Sequence, residues 1–227
     1  MLLRNDLEDD IAAYIADRVP KAHMRTVFDV GANHGWFTYQ FGKTFRDARF
    51  HLFEPSPPIF AAIEGNLRRF GAFDLWDRAD AYPIALGDAP GRARITTVPD
   101  VTVNRIVPGN GDASTAEVDV VTGDGFCAAY RIDRIDYLKI DAEGYDMRVL
   151  LGFQEMLAAG DIAFVQVEAS LSADNAEHVA LADFVDHLGA RRYRLFRFIN
   201  QASDRLPYLT RADVVFIHED AAERFAD

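Results

Sequence analysis

The sequence predicts an α/β protein with a Rossmann-like, doubly wound and mostly parallel sheet. Three observations carry this prediction: strand and helix patterns alternate, most strand segments are near-continuous apolar runs, and only a loop separates the last two strands. Near-continuous apolar strands are typical of parallel sheets that are covered on both faces. Because the last two strands lack a crossover helix, one of them should be antiparallel. We therefore expect a seven-stranded sheet with an antiparallel final strand.

The first elements alternate in the expected way. Apolar residues four apart predict an amphipathic N-terminal helix over residues 5–19. Short apolar runs predict buried strands at 27–30 and 50–53, and phenylalanines at helical spacing follow the first of them. After the second strand, Ser56 suits the N-cap of another helix, which Gly71 ends.

The same alternation continues to the end of the chain. Further strands are predicted at residues 81–86, 91–98, 117–122, 135–140, 162–167, 193–199 and 214–218. Helices are predicted at about 145–158 and around 181–188. We divide the chain into an N-terminal helical extension, residues 1–25, and one large α/β domain, residues 26–227.

The amino-acid composition restricts the classes of partner that the protein can bind. The chain has 227 residues, with 24 lysines and arginines against 36 aspartates and glutamates, which gives a net charge of −12. Such a chain does not attract nucleic acid or anionic lipid through its overall field, so we expect neither a nucleic-acid nor a membrane partner. The oligomeric state is left open.

Three features favour a cytoplasmic protein. Cys127 is the single cysteine, which excludes a disulfide within the chain and fits a reducing compartment. The N-terminal region contains acidic residues and no long apolar run, so it does not resemble a signal peptide. No segment reaches the roughly 20 apolar residues of a membrane span.

The turn after the first strand is the most informative segment. Asp29 precedes a glycine-containing turn with Gly31, Asn33 and Gly35, and a helix follows. Ligands of doubly wound sheets bind at the carboxyl ends of the strands, and a helix start offers free N–H groups to an anion. The dinucleotide pattern G-x-G-x-x-G fails, because Asn33 and Trp36 stand where its second and third glycines belong. An acid two residues before the glycine suits an ammonium group, such as that of a methionine moiety.

Glu54 ends the second strand, 23 residues after Gly31. A carboxylate at this position can accept hydrogen bonds from both ribose hydroxyls. The alternative is an acid at a strand end that faces solvent. Asp29 and Gly31 upstream favour the ribose interpretation.

Taken together, these segments resemble the FkbM-type methyltransferase family. The matching stretches are residues 28–35, 53–55, 85–88 with Gly91, 136–144 with Val149, Leu150 and Gly152, and 165–168. The resemblance spans about residues 26–170, and the combination is more specific than any single stretch. It implies the class I methyltransferase fold, S-adenosylmethionine as methyl donor, and a small-molecule or saccharide acceptor that carries a hydroxyl group.

The resemblance also implies donor-binding residues. The methionine part of the donor would be held by Asp29, Gly31, Asn33 and Gly35. Glu54 would hold the ribose, and Ala85 would lie near the adenine. The chain departs from the family at two positions. Gly123 replaces a leucine, and we expect this to loosen the approach to the strand at 135–140; Ala142 replaces a valine.

Acids follow the strand at 135–140. Lys139, Asp141 and Glu143 alternate, so they would share one face if the strand continued. Asp141 and Glu143 are the candidate catalytic residues, as a general base, as groups that position the substrate, or as ligands of a divalent metal. The alternative is that Asp141 caps the next helix and Glu143 favours its N-terminus. For Asp141 we favour proximity to the donor sulfonium and the acceptor.

The sequence leaves the acceptor open. The leading hypothesis is O-methylation of a carbohydrate or secondary metabolite. The alternatives are an N-methyltransferase of the same fold and a non-catalytic donor-binding domain of a larger assembly. The loop from Pro99 to Thr115, rich in proline, glycine, asparagine and aspartate, is predicted to form a lid over the acceptor side.

Overall fold

A computed structural model describes residues 10–70, 75–97, 115–173, 175, 177–203 and 207–226. Its strands are β1 (Thr26–Val30), β2 (Arg49–Phe53), β3 (Ala79–Tyr82), β4 (Ala85–Leu86), β5 (Gly91–Thr96), β6 (Thr115–Val121), β7 (Ile135–Ile140), β8 (Ile162–Ser170), β9 (Tyr193–Ala202) and β10 (Arg211–His218). Its helices are α1 (Ile11–Ala16), α2 (Trp36–Thr44), α3 (Pro57–Phe70), α4 (Gly123–Tyr130), α5 (Asp146–Leu151), α6 (Gln154–Ala159), α7 (Leu181–Gly189) and α8 (Glu219–Ala226).

Seven strands form the main sheet, in the order β3-β2-β1-β7-β8-β10-β9. The pairs β1–β2, β1–β7, β2–β3 and β7–β8 are parallel, whereas β10 is antiparallel to both β8 and β9. The predicted sheet, mostly parallel and with an antiparallel final strand, is therefore confirmed. β1 and β7 lie side by side at its centre, so their carboxyl ends meet at one edge.

Helices cover both faces of this sheet. Phe28 and Val30 of β1 belong to a core cluster that also contains apolar residues of α4, α5, α6 and α7. Val27, on the opposite face, belongs to a second cluster with apolar residues of α1, α2, α3 and α8. The period of two along a strand sends neighbouring residues to opposite layers. Burying one phenylalanine in such a layer contributes roughly 1.5–3 kcal/mol.

The prediction of one strand at residues 81–86 is wrong. β3 ends at Tyr82 in the main sheet, and β4 begins at Ala85 in a separate three-stranded sheet of order β4-β6-β5. Pro83 lies between them. Because proline lacks an N–H group, it cannot continue the hydrogen-bonded ladder, and the chain leaves the main sheet there.

The prediction of one helix at residues 145–158 is also wrong, since α5 and α6 are separate. Asp124 divides them: its N–H donates to Gly152 O at 2.8 Å, and its carboxylate accepts from Glu155 N at 2.9 Å and Met156 N at 3.1 Å. A carboxylate on these first-turn N–H groups starts a new helix. α4 and α8 were not predicted from the sequence.

Gly123 does not loosen the structure beside β7. A Cβ atom at this position would lie 2.3 Å from the Phe153 ring, so the ring occupies the space that a larger residue would need. Phe153 is fully buried. The departure from the family pattern is therefore filled by a packed aromatic side chain.

The N-terminal helix is shorter in the described part of the chain than the predicted span. α1 covers Ile11–Ala16, and residues 1–9 lie outside the description, as do residues 98–114 of the predicted lid. Ile11 and Ile15 pack in the same cluster as Val27 and Phe41. The division of the chain at residue 25 stays a prediction. Among the described residues, no helix combines the length and the hydropathy needed to cross a bilayer.

Candidate active site

Two cavities lie at the edge of the sheet where β1 and β7 end. Gly31, Asn33 and Asp141 line both of them, so the cavities meet at these residues. The first cavity lies between the ends of β1 and β2 and the small sheet that contains β4. The second has a volume of about 680 Å³ and lies under α1 and α2.

The turn after β1 depends on glycine. Gly31 has a φ of +72°, and a Cβ atom there would lie 1.9 Å from Asp141 O. The N–H groups of Gly31 and Ala32 donate to Phe53 O at 2.9 and 3.1 Å, which ties the turn to the end of β2. A side chain at position 31 would separate the strand ends that form both cavities.

Asn33 and Gly35 complete this turn. Asn33 has a φ of +49° and Gly35 a φ of +81°. Gly35 stands at the N-cap of α2 without a side-chain hydrogen bond, and it lines neither cavity. α2 therefore begins three residues after Asn33, which lines both cavities, and its first N–H groups have no partner within the helix.

Glu54 lines the first cavity and holds the turn in place. Its Oε2 accepts from Asn33 N at 2.9 Å, and its Oε1 accepts from Ser56 N at 2.8 Å. Burial raises the pKa of Glu54, while the two backbone hydrogen bonds act in the opposite direction. Each carboxylate oxygen can accept a further hydrogen bond, so the group remains able to receive two hydroxyls.

The rest of the first cavity is largely apolar. Ala85 lies in its wall, buried in β4. The other apolar lining residues are Val30, Phe53, Pro55, Ile59, Ile84, Leu86, Ile95, Ala142 and Val149. A slot of this kind, with the Glu54 carboxylate beside its apolar wall, suits a flat heterocycle attached to a sugar.

Asp29 is fully buried and lines neither cavity. Its Oδ2 accepts from Thr38 Oγ1 at 2.7 Å, and its Oδ1 lies 3.3 Å from Lys139 Nζ. Direct contact of Asp29 with a ligand ammonium stays a prediction. The Asp29 carboxylate therefore lies beneath the turn at residues 31–35 and contacts Thr38 and Lys139 there.

Lys139 connects the strand ends. Its Nζ donates to Gly31 O at 3.1 Å and lies 3.2 Å from Asp141 Oδ2. Burial acts to lower the pKa of Lys139, but the carboxylates of Asp141 and Asp29 outweigh it and raise the pKa. Lys139 therefore stays charged and fixes the side of Asp141 that faces β1.

Asp141 does not cap the helix that follows it. The N-cap of α5 is Tyr145, with no side-chain cap hydrogen bond. In the preceding turn, the N–H groups of Ala142 and Gly144 donate to the carboxylate of Asp146 at 3.5 and 3.1 Å. The Asp141 side chain is 44% exposed, and it is free to face both cavities. Glu143, with a φ of +53°, lines the first cavity.

Polar side chains in the floor of the second cavity were missed at the sequence level. Gln166 of β8, Asn200 of β9 and Asp213 of β10 line it beside Lys139. Tyr137 Oη donates to Gln166 Oε1 at 2.7 Å, and Gln166 Nε2 donates to Asp213 Oδ2 at 2.9 Å. The available signal was a polar residue inside a strand that is otherwise apolar, because an unpaired polar group at such a position is costly.

No metal site is found in the part of the chain that the structure describes. There, no group of three or more histidine, cysteine, aspartate or glutamate side chains is arranged to hold an ion. The metal interpretation of Asp141 and Glu143 gains no support from the geometry.

The chain is similar to a known protein family and to individual proteins. The family described as "Methyltransferase FkbM domain" matches residues 29–197. The 31-O-demethyl-FK506 methyltransferase FkbM of Streptomyces tacrolimicus is 30% identical over 159 residues, which are 57% of this chain and 59% of that protein. The AMB antimetabolite synthetase AmbE of Pseudomonas aeruginosa is 27% identical over 183 residues, 64% of this chain and 8% of that protein. The chain thus spans less than two thirds of either relative.

The fold has a matching solved structure. The crystal structure of a methyltransferase FkbM from Methylobacillus flagellatus KT superimposes with a TM-score of 0.60 at 16% sequence identity. The match covers 86% of this chain and 44% of that one. At this identity the likeness supports the fold alone, and it agrees with the class I methyltransferase architecture expected from the sequence.

Proposed function

Because the chain belongs to the FkbM methyltransferase family, we propose that it transfers a methyl group from S-adenosylmethionine to a hydroxyl group of a carbohydrate or secondary metabolite. The observation that carries this proposal is the junction of two cavities at Gly31, Asn33 and Asp141. A methyl transfer needs two ligands whose reacting atoms meet at one point, and this junction provides it.

The lining of the first cavity suits the adenosine half of the donor. Glu54 accepts from the ribose hydroxyls with the lone pairs that its two backbone hydrogen bonds leave free. The apolar wall around Ala85, Ile84 and Leu86 contacts the adenine. The fingerprint of a dinucleotide site is absent from this turn, which disfavours a nicotinamide cofactor.

The turn at residues 31–35 receives the methionine part. Gly31 and Asn33 line both cavities, and the free N–H groups at the start of α2 suit a carboxylate. Gly35 gives the chain the left-handed conformation that begins this helix. Asp29 supports the turn from behind through Thr38 and Lys139, and it adds negative charge near the ammonium group.

Asp141 orients the acceptor at the junction. When bound, the donor supplies an electrophilic methyl group. Asp141 accepts a hydrogen bond from the acceptor hydroxyl and offers an oxygen to its proton, while Lys139 holds the other side of the carboxylate. Positioning supplies much of the rate, and a base adds typically ~10²–10⁴-fold. Glu143 lies on the donor side, where it helps to position the bound donor.

The composition of the chain and the name of one relative bear on the partners and the compartment that we propose. The net charge of −12 disfavours nucleic acid and anionic membranes, and the single cysteine suits a reducing cytoplasm. The printed name of the Streptomyces tacrolimicus relative states an O-methylation. The acceptor of the present chain is a proposal in its own right, because the match covers 59% of that relative.

Calorimetry with S-adenosylhomocysteine and NAD tests the donor assignment. We expect S-adenosylhomocysteine to bind and NAD not to bind. Transfer of a radiolabelled methyl group to hydroxyl-bearing and amine-bearing acceptor libraries then tests the reaction. No binding of S-adenosylhomocysteine would reject a donor-dependent enzyme, and labelling confined to amines would replace O-methylation by N-methylation.

A further inference from the structure

Asp213 lies in the floor of the second cavity, away from the donor side. β10 runs antiparallel to β8 and places Asp213 opposite Glu168. Glu168 is itself paired with Arg211 and with His178 Nε2, the latter at 2.9 Å. Among these carboxylates, Asp213 is the one that lines the cavity.

The two oxygens of Asp213 are used differently. Oδ2 accepts from Gln166 Nε2 at 2.9 Å and from Asn200 Nδ2 at 2.7 Å. Within the described parts of the chain, no hydrogen bond reaches Oδ1. The carboxylate is therefore locked in orientation by one oxygen, while its other oxygen is left for a donor group from a ligand.

The floor of the cavity selects for hydrogen-bond donors. Lys139, the cation in this floor, has its ammonium group held by Gly31 O, Asp29 and Asp141. Lys43 lies at the rim, with its ammonium 5.1 Å from the centre of the Tyr39 ring. An anionic ligand would therefore meet the Asp141 and Asp213 carboxylates without a free ammonium in the floor beside them.

The spacing indicates the size of the acceptor. Asp141 follows β7, and Asp213 lies on β10, with β8 between these two strands. Neighbouring strands are about 4.8 Å apart, so the two carboxylates stand on backbones roughly 10 Å apart. A ligand that touches both needs the dimensions of at least one sugar-sized ring.

An aromatic side chain completes the cavity at its rim. Trp36 lines it and is 56% exposed, although it is a large apolar residue. Its ring is supported by Tyr39 and Phe70, with centroids 5.4 and 5.6 Å away. An exposed indole held in this way gives the apolar face of a ring a surface to pack on.

We propose that the second cavity binds a neutral or cationic polyol, such as a glycoside or an amino sugar, with one hydroxyl at Asp141 and a second hydroxyl or ammonium group on Asp213 Oδ1. This inference rests on the proposed function, which places the methyl donor in the first cavity. It assigns Asp213 as a positioning residue for the acceptor. Uronic acids and other anionic sugars are excluded by the same two carboxylates.

Saturation-transfer NMR with three related probes tests the class of acceptor. The probes are methyl glucoside, glucosamine and glucuronate, each measured at pH 7 with and without S-adenosylhomocysteine. We expect the glucoside and glucosamine to bind and glucuronate not to bind. Binding of glucuronate equal to or stronger than that of glucosamine, or binding of none of the three, would overturn the proposal.

Asp213→Asn tests the role of this carboxylate directly. The amide oxygen can still accept from Gln166 and Asn200, while an NH₂ group, which donates hydrogen bonds, replaces Oδ1. We expect the dissociation constant of glucosamine to rise roughly 10- to 150-fold, as for a lost charged hydrogen bond. The affinity of glucuronate should increase relative to that of glucosamine. Asp186→Asn, on the exposed side of α7, is the matched control and should change neither probe.

If Asp213 had a purely structural role, the three probes would bind to Asp213→Asn with the same ranking of affinities as to the wild-type protein. That result would overturn the proposal. The binding of S-adenosylhomocysteine separates the two claims. If S-adenosylhomocysteine does not bind to the wild-type protein, the proposed function is rejected. If S-adenosylhomocysteine binds but the affinities of the three probes rank differently from the expectation, only the role of Asp213 and the class of acceptor are rejected.

Discussion

The two cavities that meet at Asp141 are built in different ways. The polar side of the first lies in short local segments, with Gly31 and Asn33 in the turn after β1 and Glu54 at the end of β2, and Ala85 of β4 lies in its apolar wall. The floor of the second is formed by side chains from β7, β8, β9 and β10, which only the pairing of the strands brings together. The comparison teaches that a site made from turns can be found in a sequence, whereas a site made across strands needs the fold.

This difference predicts different consequences for mutation. Changes in the first cavity should alter donor affinity, and changes in the second should alter acceptor binding alone. Changes at the junction should affect both or stop the reaction. Each of the following substitutions tests one part of that division.

Gly31→Ala should have the largest effect. The new Cβ atom would lie 1.9 Å from Asp141 O, at a φ of +72°. We expect the free energy of unfolding to fall by roughly 2–5 kcal/mol and the binding of S-adenosylhomocysteine to be lost. Urea denaturation and calorimetry measure both. Gly65→Ala, which has no atom within 4 Å of its new Cβ, is the control and should not lose stability; equal behaviour of the two variants would contradict the close approach of the strand ends.

Asp141→Asn should lower turnover by about 10²-fold or more while much of the donor affinity remains, because it removes a charge at the junction without changing size. Steady-state kinetics and calorimetry separate the two quantities, with Asp186→Asn as control. Turnover equal to that of the wild type would remove Asp141 from the reaction. Activity that is lost with a chelator and restored by a divalent ion would favour a metal at this carboxylate.

Glu54→Ala should weaken the binding of S-adenosylhomocysteine by roughly 10- to 150-fold, because charged hydrogen bonds worth roughly 1.5–3 kcal/mol are lost. The binding of the sugar probes in the second cavity should not change. Glu64→Ala, on the exposed side of α3, is the matched control. An unchanged dissociation constant in a folded Glu54→Ala protein would reject the assignment of Glu54 to the ribose. It would also reject the division of donor and acceptor binding between the two cavities.

The pH dependence of stability should show the smallest effect. Burial raises the pKa of Asp213 from 3.8 to about 6. Between these values the native carboxyl keeps a proton that the unfolded chain has released, so its contribution makes stability fall as pH rises through this window. The contribution is of the order of 1–3 kcal/mol. Urea denaturation from pH 4 to 7 should show a shallower fall in Asp213→Asn than in Asp186→Asn, and identical slopes would contradict the burial of this charge.

Much of the fold could be predicted because its signals are local. The apolar runs of β1, β2, β7 and β8 gave their strands, and the missing crossover between β9 and β10 gave the antiparallel pair. The apolar pattern continues across Pro83 and therefore does not predict the break between β3 and β4. The separation of α5 from α6 was not predictable from periodicity, since it depends on Asp124, which is distant in sequence.

The candidate site divides in the same manner. Gly31, Asn33, Glu54, Ala85, Asp141 and Glu143 were predicted, and all of them line a cavity. Asp29 and Gly35 were predicted as well, but they stand behind the surface that a ligand would touch. Gln166, Asn200 and Asp213 were not predicted, because their meeting depends on the register of β8, β9 and β10.

The contacts of Lys139 have a consequence for the end of a catalytic cycle. With Asp29 and Asp141 it forms a row whose formal charge is −1 + 1 − 1 = −1, in which Asp29 and Lys139 are buried and Asp141 is partly exposed to the cavities. Such a row favours a cation over a neutral molecule of the same shape, because attraction is strong where water is scarce. We expect the enzyme to hold the sulfonium form of its ligand more tightly than the neutral thioether that remains after transfer. The residues that shape the turn would then also limit inhibition by product.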